Sequence, residues 1–171
     1  IYHIADIHIP NDTNRHNEYL HVFNNLYNQI KLDPSNSIIV IVGDIIDKSN
    51  KISPECINLT KQFLLSLSNI TNTIIIAGNH DDNVRGNDTK IDSLSAIIKD
   101  ISYKNLHYFK ETAIYNVGTN ISFGVTSVFD ESLIQSNQLI ENDRTKIGLF
   151  HGMVDSKHNT IPTGDYKFTV K

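Results

Sequence analysis

The sequence predicts an α/β fold with a parallel or mixed sheet. Apolar runs of strand length alternate with segments in which apolar residues recur every three or four positions, a pattern typical of βαβ units. The runs IIVIV at residues 38–42 and TIIIA at residues 73–77 are almost entirely apolar, as expected of strands that are covered on both faces. A chain of 171 residues has the size of one domain, so we expect a single core over residues 1–171.

The first half of the chain alternates regularly between strands and helices. A short strand is expected at about residues 1–6 and an amphipathic helix at about residues 15–31, followed by the IIVIV strand. The sequence SPE at residues 53–55 begins a second helix, because serine caps a first turn, proline fits its first position and the acid complements the helix dipole. One face of that helix carries an apolar stripe of Cys56, Leu59, Phe63 and Leu67.

After the TIIIA strand, the second half of the chain becomes richer in β-structure. The apolar residues of segment 94–101 recur at helical spacing and predict a third helix. Four short β candidates follow from residue 106 onward, and GTN at residues 118–120 predicts a hairpin turn between two of them. We therefore expect a second, more antiparallel sheet that contains the candidates LHYF, AIYNV, NISFGV and KIGLF.

Composition excludes several functional classes. The formal net charge of −4 argues against a generally basic surface for nucleic acid. No apolar run approaches the roughly 18 to 20 residues that cross a bilayer, so no membrane association is expected. Cys56 is the only cysteine, which excludes disulfides within the chain and cysteine clusters for zinc. An intracellular, reducing setting fits this composition, with cytoplasm and nucleus both left open.

Residues of metal-ligand type follow four of the predicted strands at their carboxyl ends. In an open α/β sheet, ligands bind at this edge. A single aspartate or histidine after a strand is more often a turn former, a helix cap or a half-exposed polar residue than a metal ligand. Four such strand ends in one chain instead predict a shared metal site. The four segments are DIH at residues 6–8, GDIID at residues 43–47, GNHD at residues 78–81 and HG at residues 151–152.

These four segments resemble, in order, four signature motifs of the calcineurin-like metallophosphoesterases, and the match extends from Asp6 to Gly152. The resemblance implies a four-layer β-sandwich of two mixed sheets flanked by helices, with a two-metal site at the strand ends. It also implies hydrolysis of a phosphoester by a hydroxide that the two metals activate. The expected class is therefore an enzyme, a metal-dependent phosphodiester hydrolase.

The family's metal ligands can be carried over residue by residue. Asp6 and His8 would hold the first metal, Asp44 would bridge both metals, and Asn79 and His151 would hold the second. Imidazole nitrogens combined with carboxylate and amide oxygens suit Mn, Fe or Zn, and the resemblance favours Mn.

The family also implies roles for the other residues of the motifs. His80 is expected to face the phosphoryl group of the substrate, with Asp81 orienting its ring, and Gly78 is expected to allow a sharp turn. Asp47 is either a residue that supports the ligands from behind or the N-cap of the next segment. Asp82 has no assigned role.

Within the superfamily, the context of the motifs resembles the SbcD-type DNA nucleases of double-strand-break repair. This implies an endonuclease or exonuclease with DNA as its substrate and an SMC-type ATPase of the SbcC kind as its partner, and it leaves a homodimer open. Protein phosphatases of the family typically have arginine after GDxxD and glutamate after GNHD, whereas this chain has Lys48 and Asp82 at those places. The alternatives are a small-molecule or cyclic-nucleotide phosphodiesterase with the same site, and a non-catalytic scaffold.

Two further expectations concern DNA and the chain ends. Basic residues that could contact a DNA backbone follow the motifs at Arg15, Lys48, Lys51, Arg85 and Lys90, with solvated loop charges as the alternative. The chain reads as part of a longer protein, truncated at both ends, because a fifth family motif, Gly-His-x-His, is absent and its two histidines are expected beyond residue 171. His158 is interpreted as a loop residue, so metal binding is expected to be weaker than in a longer chain.

Overall fold

A computed structural model describes residues 1–47, 51–82, 92–99, 104–130, 132–139, 143–155 and 167–169 of the chain. The architecture is mixed α/β, with two sheets flanked by helices, as the sequence predicts. Within these residues the α-helices are α1 (His16–Ile30), α2 (Pro54–Ile70) and α3 (Ser93–Ile98), and short 3₁₀ turns lie at Thr13–Arg15 and Ser136–Gln138.

In the described part of the chain, the first sheet is parallel and consists of four strands in the order of the sequence. They are β1 (Tyr2–Ile4), β2 (Ile39–Val42), β3 (Thr73–Ile76) and β4 (Leu106–Tyr108). In the second sheet β6 lies between an antiparallel β5 and a parallel β7, so that sheet is mixed. Its strands are β5 (Ala113–Val117), β6 (Ile121–Thr126) and β7 (Thr145–Phe150), and a separate parallel pair is formed by β8 (Met153–Asp155) and β9 (Lys167–Thr169).

The core lies in two layers on either side of the first sheet, and this explains why β2 and β3 are apolar at almost every position. Successive strand residues point to opposite faces. Ile39, Ile41 and Ile75 pack against the helices, whereas the alternate residues of β2 and β3 pack against the second sheet. The layer between the sheets contains Val40, Val42, Ile74, Ile76, Phe109, Phe123, Val125 and Leu149.

One expectation about the second half is corrected. The LHYF segment forms β4, which pairs in parallel with β3 in the first sheet and does not belong to the second. The KIGLF segment forms β7 of the second sheet, as expected, and pairs in parallel with β6. The sheet of LHYF could not be predicted because the apolar pattern of a short strand does not encode its partner. The hairpin between β5 and β6 is confirmed, with residues 118–120 in its turn.

Helix α2 begins as its sequence predicts. The Ser53 hydroxyl accepts a hydrogen bond from the Cys56 N–H at 3.1 Å, and Pro54 occupies the first turn. The predicted stripe is buried, and the Cys56 side chain is fully enclosed. Helix α3 is observed where it is expected, but Ile101 lies outside the described residues. Among the described helices, none combines the length and the apolar character that a bilayer span requires.

Asp92 fixes the start of α3 with a fully buried carboxylate. That carboxylate accepts hydrogen bonds from the Ser95 N–H at 2.7 Å and the Ser95 hydroxyl at 2.6 Å, and it lies 2.8 Å from Nζ of Lys110. Burial raises the pKa of Asp92, but the bonds from Lys110 and Ser95 outweigh burial, so the pKa lies below its ordinary value. The carboxylate is therefore stabilised in its ionised form.

Asp92→Asn should lower the free energy of unfolding at neutral pH by about 1–3 kcal/mol, because the amide keeps the shape but loses the charge-assisted bond to Lys110. The pKa is depressed in the folded state. The greater stability of the wild type over Asp92→Asn is therefore fully present above the pKa of about 3.9 that the carboxyl has in the unfolded chain. It disappears as the pH falls through the lower pKa of Asp92 in the folded protein. Denaturant titrations of both proteins between about pH 3 and pH 7 test this; a difference in stability that is independent of pH would contradict it.

Candidate metal centre

The carboxyl ends of β1, β2, β3 and β7 meet around one cavity of about 530 Å³. Because β1, β2 and β3 are neighbours in a parallel sheet, the segments that follow them emerge on the same edge, and β7 adds a segment from the second sheet. The cavity is lined by all the expected ligands and by the expected catalytic histidine: Asp6, His8, Asp44, Asn79, His80 and His151. Their convergence is observed, and their roles stay predictions.

Three of these residues share an unusual backbone conformation. Asp6, His8 and Asp44 have φ angles of 53°, 48° and 53°, in the left-handed region that costs a non-glycine residue about 1–3 kcal/mol. Such strain persists only where the surrounding structure fixes it. Here the Asp6 N–H donates to the Gly43 carbonyl at 3.2 Å, and the His8 N–H donates to the Asp44 carbonyl at 3.0 Å. The first two ligand segments are therefore bonded to each other through their backbones.

Two glycines in the motifs are required by close approach of other groups. A Cβ on Gly43, whose φ is 77°, would collide with the ring of His151, and a Cβ on Gly78 would collide with the carboxylate of Asp44. The φ of Gly78 is not in the left-handed region. The expected turn is present, since the Gly78 carbonyl accepts the Asp81 N–H at 3.2 Å. The requirement for glycine comes from the nearby Asp44 carboxylate, which excludes a side chain there.

Gly78→Ala should displace the Asp44 carboxylate and weaken Mn²⁺ binding by about 10-fold or more. Gly148→Ala is the matched control, since a Cβ on Gly148 in β7 meets no atom within 4 Å. Calorimetric Mn²⁺ titrations of the two variants make the comparison. Equal affinities would show that the site tolerates a methyl group beside Asp44.

Asp44 occupies the centre of the donor atoms. Its Oδ2 lies 3.7 Å from His8 Nε2 and 3.3 Å from His151 Nε2, and its Oδ1 accepts the His80 N–H at 2.9 Å. Burial raises the pKa of Asp44, but the hydrogen bonds from His151 and from the His80 backbone outweigh burial and lower it. Asp44 is therefore an anionic, fixed group at the point where a bridging carboxylate would be required.

The donor atoms form two groups of three, and both groups contain Asp44. One group joins His8, Asp44 and His80, the other joins Asp6, Asp44 and His151, and within each group the atoms lie within 4.8 Å of one another. A shared carboxylate agrees with the bridging role expected for Asp44. Asp6 Oδ1 also lies 3.7 Å from His8 Nε2, so Asp6 is close to His8 as well as to His151, and the expected division of the ligands between two metals stays a prediction.

The surroundings of His151 fit a cation. Its Nδ1 lies 2.8 Å from the Val42 carbonyl, which can only accept, so Nδ1 carries a proton. Its Nε2 faces Asn79 Oδ1 at 3.2 Å and Asp44 Oδ2 at 3.3 Å. The hydrogen bond with Asp44 raises the pKa of His151 to about 9, although burial opposes this. Nε2 of His151, the Asp44 carboxylate and the Asn79 amide oxygen thus converge on one position that favours a positive charge. A divalent metal could be coordinated by the same three atoms.

His80 is oriented by Asp47 and not by Asp81. Nδ1 of His80 contacts the backbone carbonyl of Asp47, and its ring packs edge to face against His8 with the centroids 4.7 Å apart. The Asp81 carboxylate is fully buried and accepts hydrogen bonds from the backbone N–H groups of Ile45, Ile46 and Gly78. The expectation that Asp81 orients the His80 ring is therefore wrong. The buried N–H groups of these three residues need an acceptor, and the Asp81 carboxylate supplies it. The His80 ring faces the cavity and does not depend on Asp81 for a partner.

Asp47 is the motif residue whose role the sequence leaves open. Its carboxylate lies 3.8 Å from Nδ1 of His8, a buried nitrogen that has no hydrogen-bond partner among the described residues. Ser53 caps α2, so Asp47 is not the cap of that helix. Two further cavity residues, His3 and Phe150, belong to strands β1 and β7, and no motif in the sequence indicates them.

The predicted basic rim is described at only two of its positions. Arg15 lies 3.2 Å from the carboxylate of Glu18, and Lys51 is exposed. The remaining candidates, together with His158, lie outside the described residues: Lys48, Arg85 and Lys90. A DNA-binding rim therefore stays a prediction.

The two sheets and the convergent set of carboxylate, imidazole and amide groups define a metal-dependent phosphoesterase. A family model described as calcineurin-like phosphoesterase matches residues 1–168, and the chain belongs to this family. Membership indicates metal-dependent hydrolysis of a phosphoester.

A relative extends the comparison to a much longer protein. The chain is 39% identical over 172 residues to "Uncharacterized protein R555" of Acanthamoeba polyphaga mimivirus. The match covers 94% of this chain and 12% of that protein. Because the chain spans so small a share of its relative, the substrates and partners of the whole protein are proposals.

Proposed function

We propose that the domain hydrolyses phosphodiesters with two divalent metals, Mn²⁺ foremost, and that DNA is its substrate. The two-metal part rests on Asp44, which belongs to both groups of converging donor atoms. When bound, such metals supply a hydroxide nucleophile near neutral pH and neutralise charge on the phosphoryl group. The DNA part rests on the resemblance of the motifs and their context to the SbcD-type nucleases.

His80 is the residue of this chain that acts on the substrate in our proposal. Its Nδ1 contacts the Asp47 carbonyl, which fixes the plane of the ring and leaves Nε2 for a ligand in the cavity. Because the Asp47 carbonyl can only accept, Nδ1 carries a proton, and Nε2 carries one as well only in the cationic ring. In that form the Nε2–H can donate to a phosphoryl oxygen or to the leaving oxygen as charge develops there. The edge-to-face contact with His8 limits rotation of the ring.

Hydrolysis assays on four substrates test the proposal. Single-stranded DNA, double-stranded DNA, bis(p-nitrophenyl) phosphate and p-nitrophenyl phosphate would be incubated with Mn²⁺, Mg²⁺, Zn²⁺, Fe²⁺ or EDTA. We expect Mn²⁺-dependent cleavage of DNA and of the diester. Cleavage of only the small esters would support the small-molecule phosphodiesterase, and metal binding without any hydrolysis would support the scaffold.

DNA binding should be weak, salt-sensitive and improved by Mn²⁺. The reason is the formal net charge of −4, which divalent metals in the cavity would offset locally. Fluorescence anisotropy with labelled DNA at about 50 and 200 mM salt, with Mn²⁺ or EDTA, measures the effect. Tight binding in EDTA would instead identify a DNA-binding surface away from the metal centre.

Partners and cellular setting rest on the same resemblance. An SMC-type ATPase of the SbcC kind is the proposed partner, a homodimer is the proposed alternative to a monomer, and an intracellular location stays a prediction. Sedimentation velocity of the purified chain distinguishes monomer from dimer. Reconstitution with a purified SMC-type ATPase tests the partner directly.

A further inference from the structure

One buried carboxylate bonds to two of the segments that carry the candidate ligands. Oδ1 of Asp81 accepts the N–H groups of Ile45 and Ile46, both at 3.1 Å, and Oδ2 accepts the Gly78 N–H at 2.9 Å. Ile45 and Ile46 directly follow Asp44, and Gly78 directly precedes Asn79. The side chain is 0% exposed and does not line the cavity.

The backbone segment that bonds to Asp81 is strained at Asp44, the candidate bridging ligand, and at the glycine before it. Gly43 and Asp44 have φ angles of 77° and 53°, so the chain passes through two left-handed residues immediately before the amides that Asp81 accepts. Left-handed conformations of residues such as aspartate persist only when neighbouring contacts fix them. Without Asp81, the N–H groups of Ile45 and Ile46 would lack the acceptor that the structure gives them.

The same carboxylate also fixes the distance between the two segments. The Asp44 carboxylate lies so close to Gly78 that no Cβ fits between them, and Asp44 accepts the His80 N–H at 2.9 Å. A shift of either segment would therefore move Asp44 relative to Asn79. The Asp81 carboxylate opposes such a shift from inside the protein, together with the hydrogen bond from the Gly43 N–H to the Ile76 carbonyl at 3.1 Å.

We propose that Asp81 is a positioning residue that holds Asp44 in its metal-binding conformation. The inference rests on the proposed two-metal function and assigns Asp81 a task other than orienting His80. Asp81 acts through the backbone of residues 44–46 and contacts neither substrate nor metal. Its loss therefore weakens metal binding first and slows hydrolysis as a consequence.

Asp81→Asn is the test variant, and Asp92→Asn is its matched control. Asparagine has the shape of aspartate, but its NH₂ group cannot accept, so it cannot serve both segments at once. Asp92 is a similarly buried carboxylate that caps α3 outside the cavity. Calorimetric Mn²⁺ titration is carried out on each folded protein, and kcat and KM are measured at increasing Mn²⁺ concentration.

We expect the Mn²⁺ dissociation constant to rise about 10- to 100-fold in Asp81→Asn and to stay within about twofold in Asp92→Asn. Excess Mn²⁺ should restore much of the lost kcat of Asp81→Asn. Unchanged Mn²⁺ affinity with a lower kcat would overturn the proposal and support a role at His80. Equal losses of affinity in both variants would overturn it in favour of general stability.

Two measurements keep this inference separate from the proposed function. Amide hydrogen exchange of the metal-free wild type should show slow exchange at Ile45 and Ile46, and fast exchange there would overturn the inference even if Asp81→Asn fails to fold. If the wild type binds Mn²⁺ and hydrolyses nothing, the proposed function fails while the affinity comparison still decides the role of Asp81. If the wild type hydrolyses phosphodiesters and Asp81→Asn binds Mn²⁺ normally, only the inference fails.

Discussion

Asp44→Ala should abolish stoichiometric metal binding at both positions and, with it, hydrolysis. Asp44 belongs to both groups of donor atoms, and its Oδ2 lies within 3.7 Å of both His8 and His151. Removing it takes the shared carboxylate out of both groups and leaves His8 with His80 in one and Asp6 with His151 in the other. Because loss of groups that merely support a ligand costs about 10- to 100-fold in affinity, loss of this shared ligand should cost at least about 100-fold.

Metal content by mass spectrometry and Mn²⁺ calorimetry measure the result for Asp44. Asp33→Ala is the control, since Asp33 lies near the amino end of β2, away from the cavity, and accepts local hydrogen bonds from Asn36. That variant should bind metal like the wild type. An Asp44→Ala protein that retains two Mn²⁺ ions would refute the bridging role.

His80→Ala should keep both metals and lose turnover by about 10²- to 10⁴-fold in kcat, the range typical of a lost acid or base. The expectation follows from the His80 ring, which lines the cavity and is held by the Asp47 carbonyl. The His80 N–H that bonds to Asp44 belongs to the backbone and survives the substitution. Metal binding by Asp44 is therefore preserved.

The experiment on His80 combines steady-state kinetics with metal analysis. His21→Ala is the control, because His21 lies on the exposed face of α1 with Asn25 as its neighbour. A His80→Ala protein that has lost one metal would contradict a purely catalytic role. It would instead show that His80 is a ligand, as its grouping with His8 and Asp44 permits.

Much of the fold and the position of the site could be predicted from the sequence. The continuous apolar runs of β2 and β3, the cap at Ser53 and the stripe of α2 are local features, and each is observed. The position of the site follows from a simple geometric rule, because adjacent parallel strands place the segments after them on one edge. Asp6, Asp44 and Asn79 therefore converge as their motifs predict.

Local pattern could not determine which distant groups those residues contact. LHYF reads as a strand, but its pairing with β3 depends on the crossover through α3. GNHD reads as a ligand segment, but the direction of the Asp81 carboxylate depends on amides 35 and 36 positions earlier in the chain.

The sequence by itself thus determined which apolar runs form the core strands, where α2 begins, and which side chains of metal-ligand type meet at one cavity. The tertiary structure decided that Gly78 must lack a side chain beside Asp44, that the Asp47 carbonyl holds His80, and that Asp81 faces the protein interior. The physical reason is that the spacing of apolar residues and the helix caps depend on neighbours along the chain. The partner of a buried polar group is instead set by whichever unpaired donor the completed fold brings within hydrogen-bonding distance.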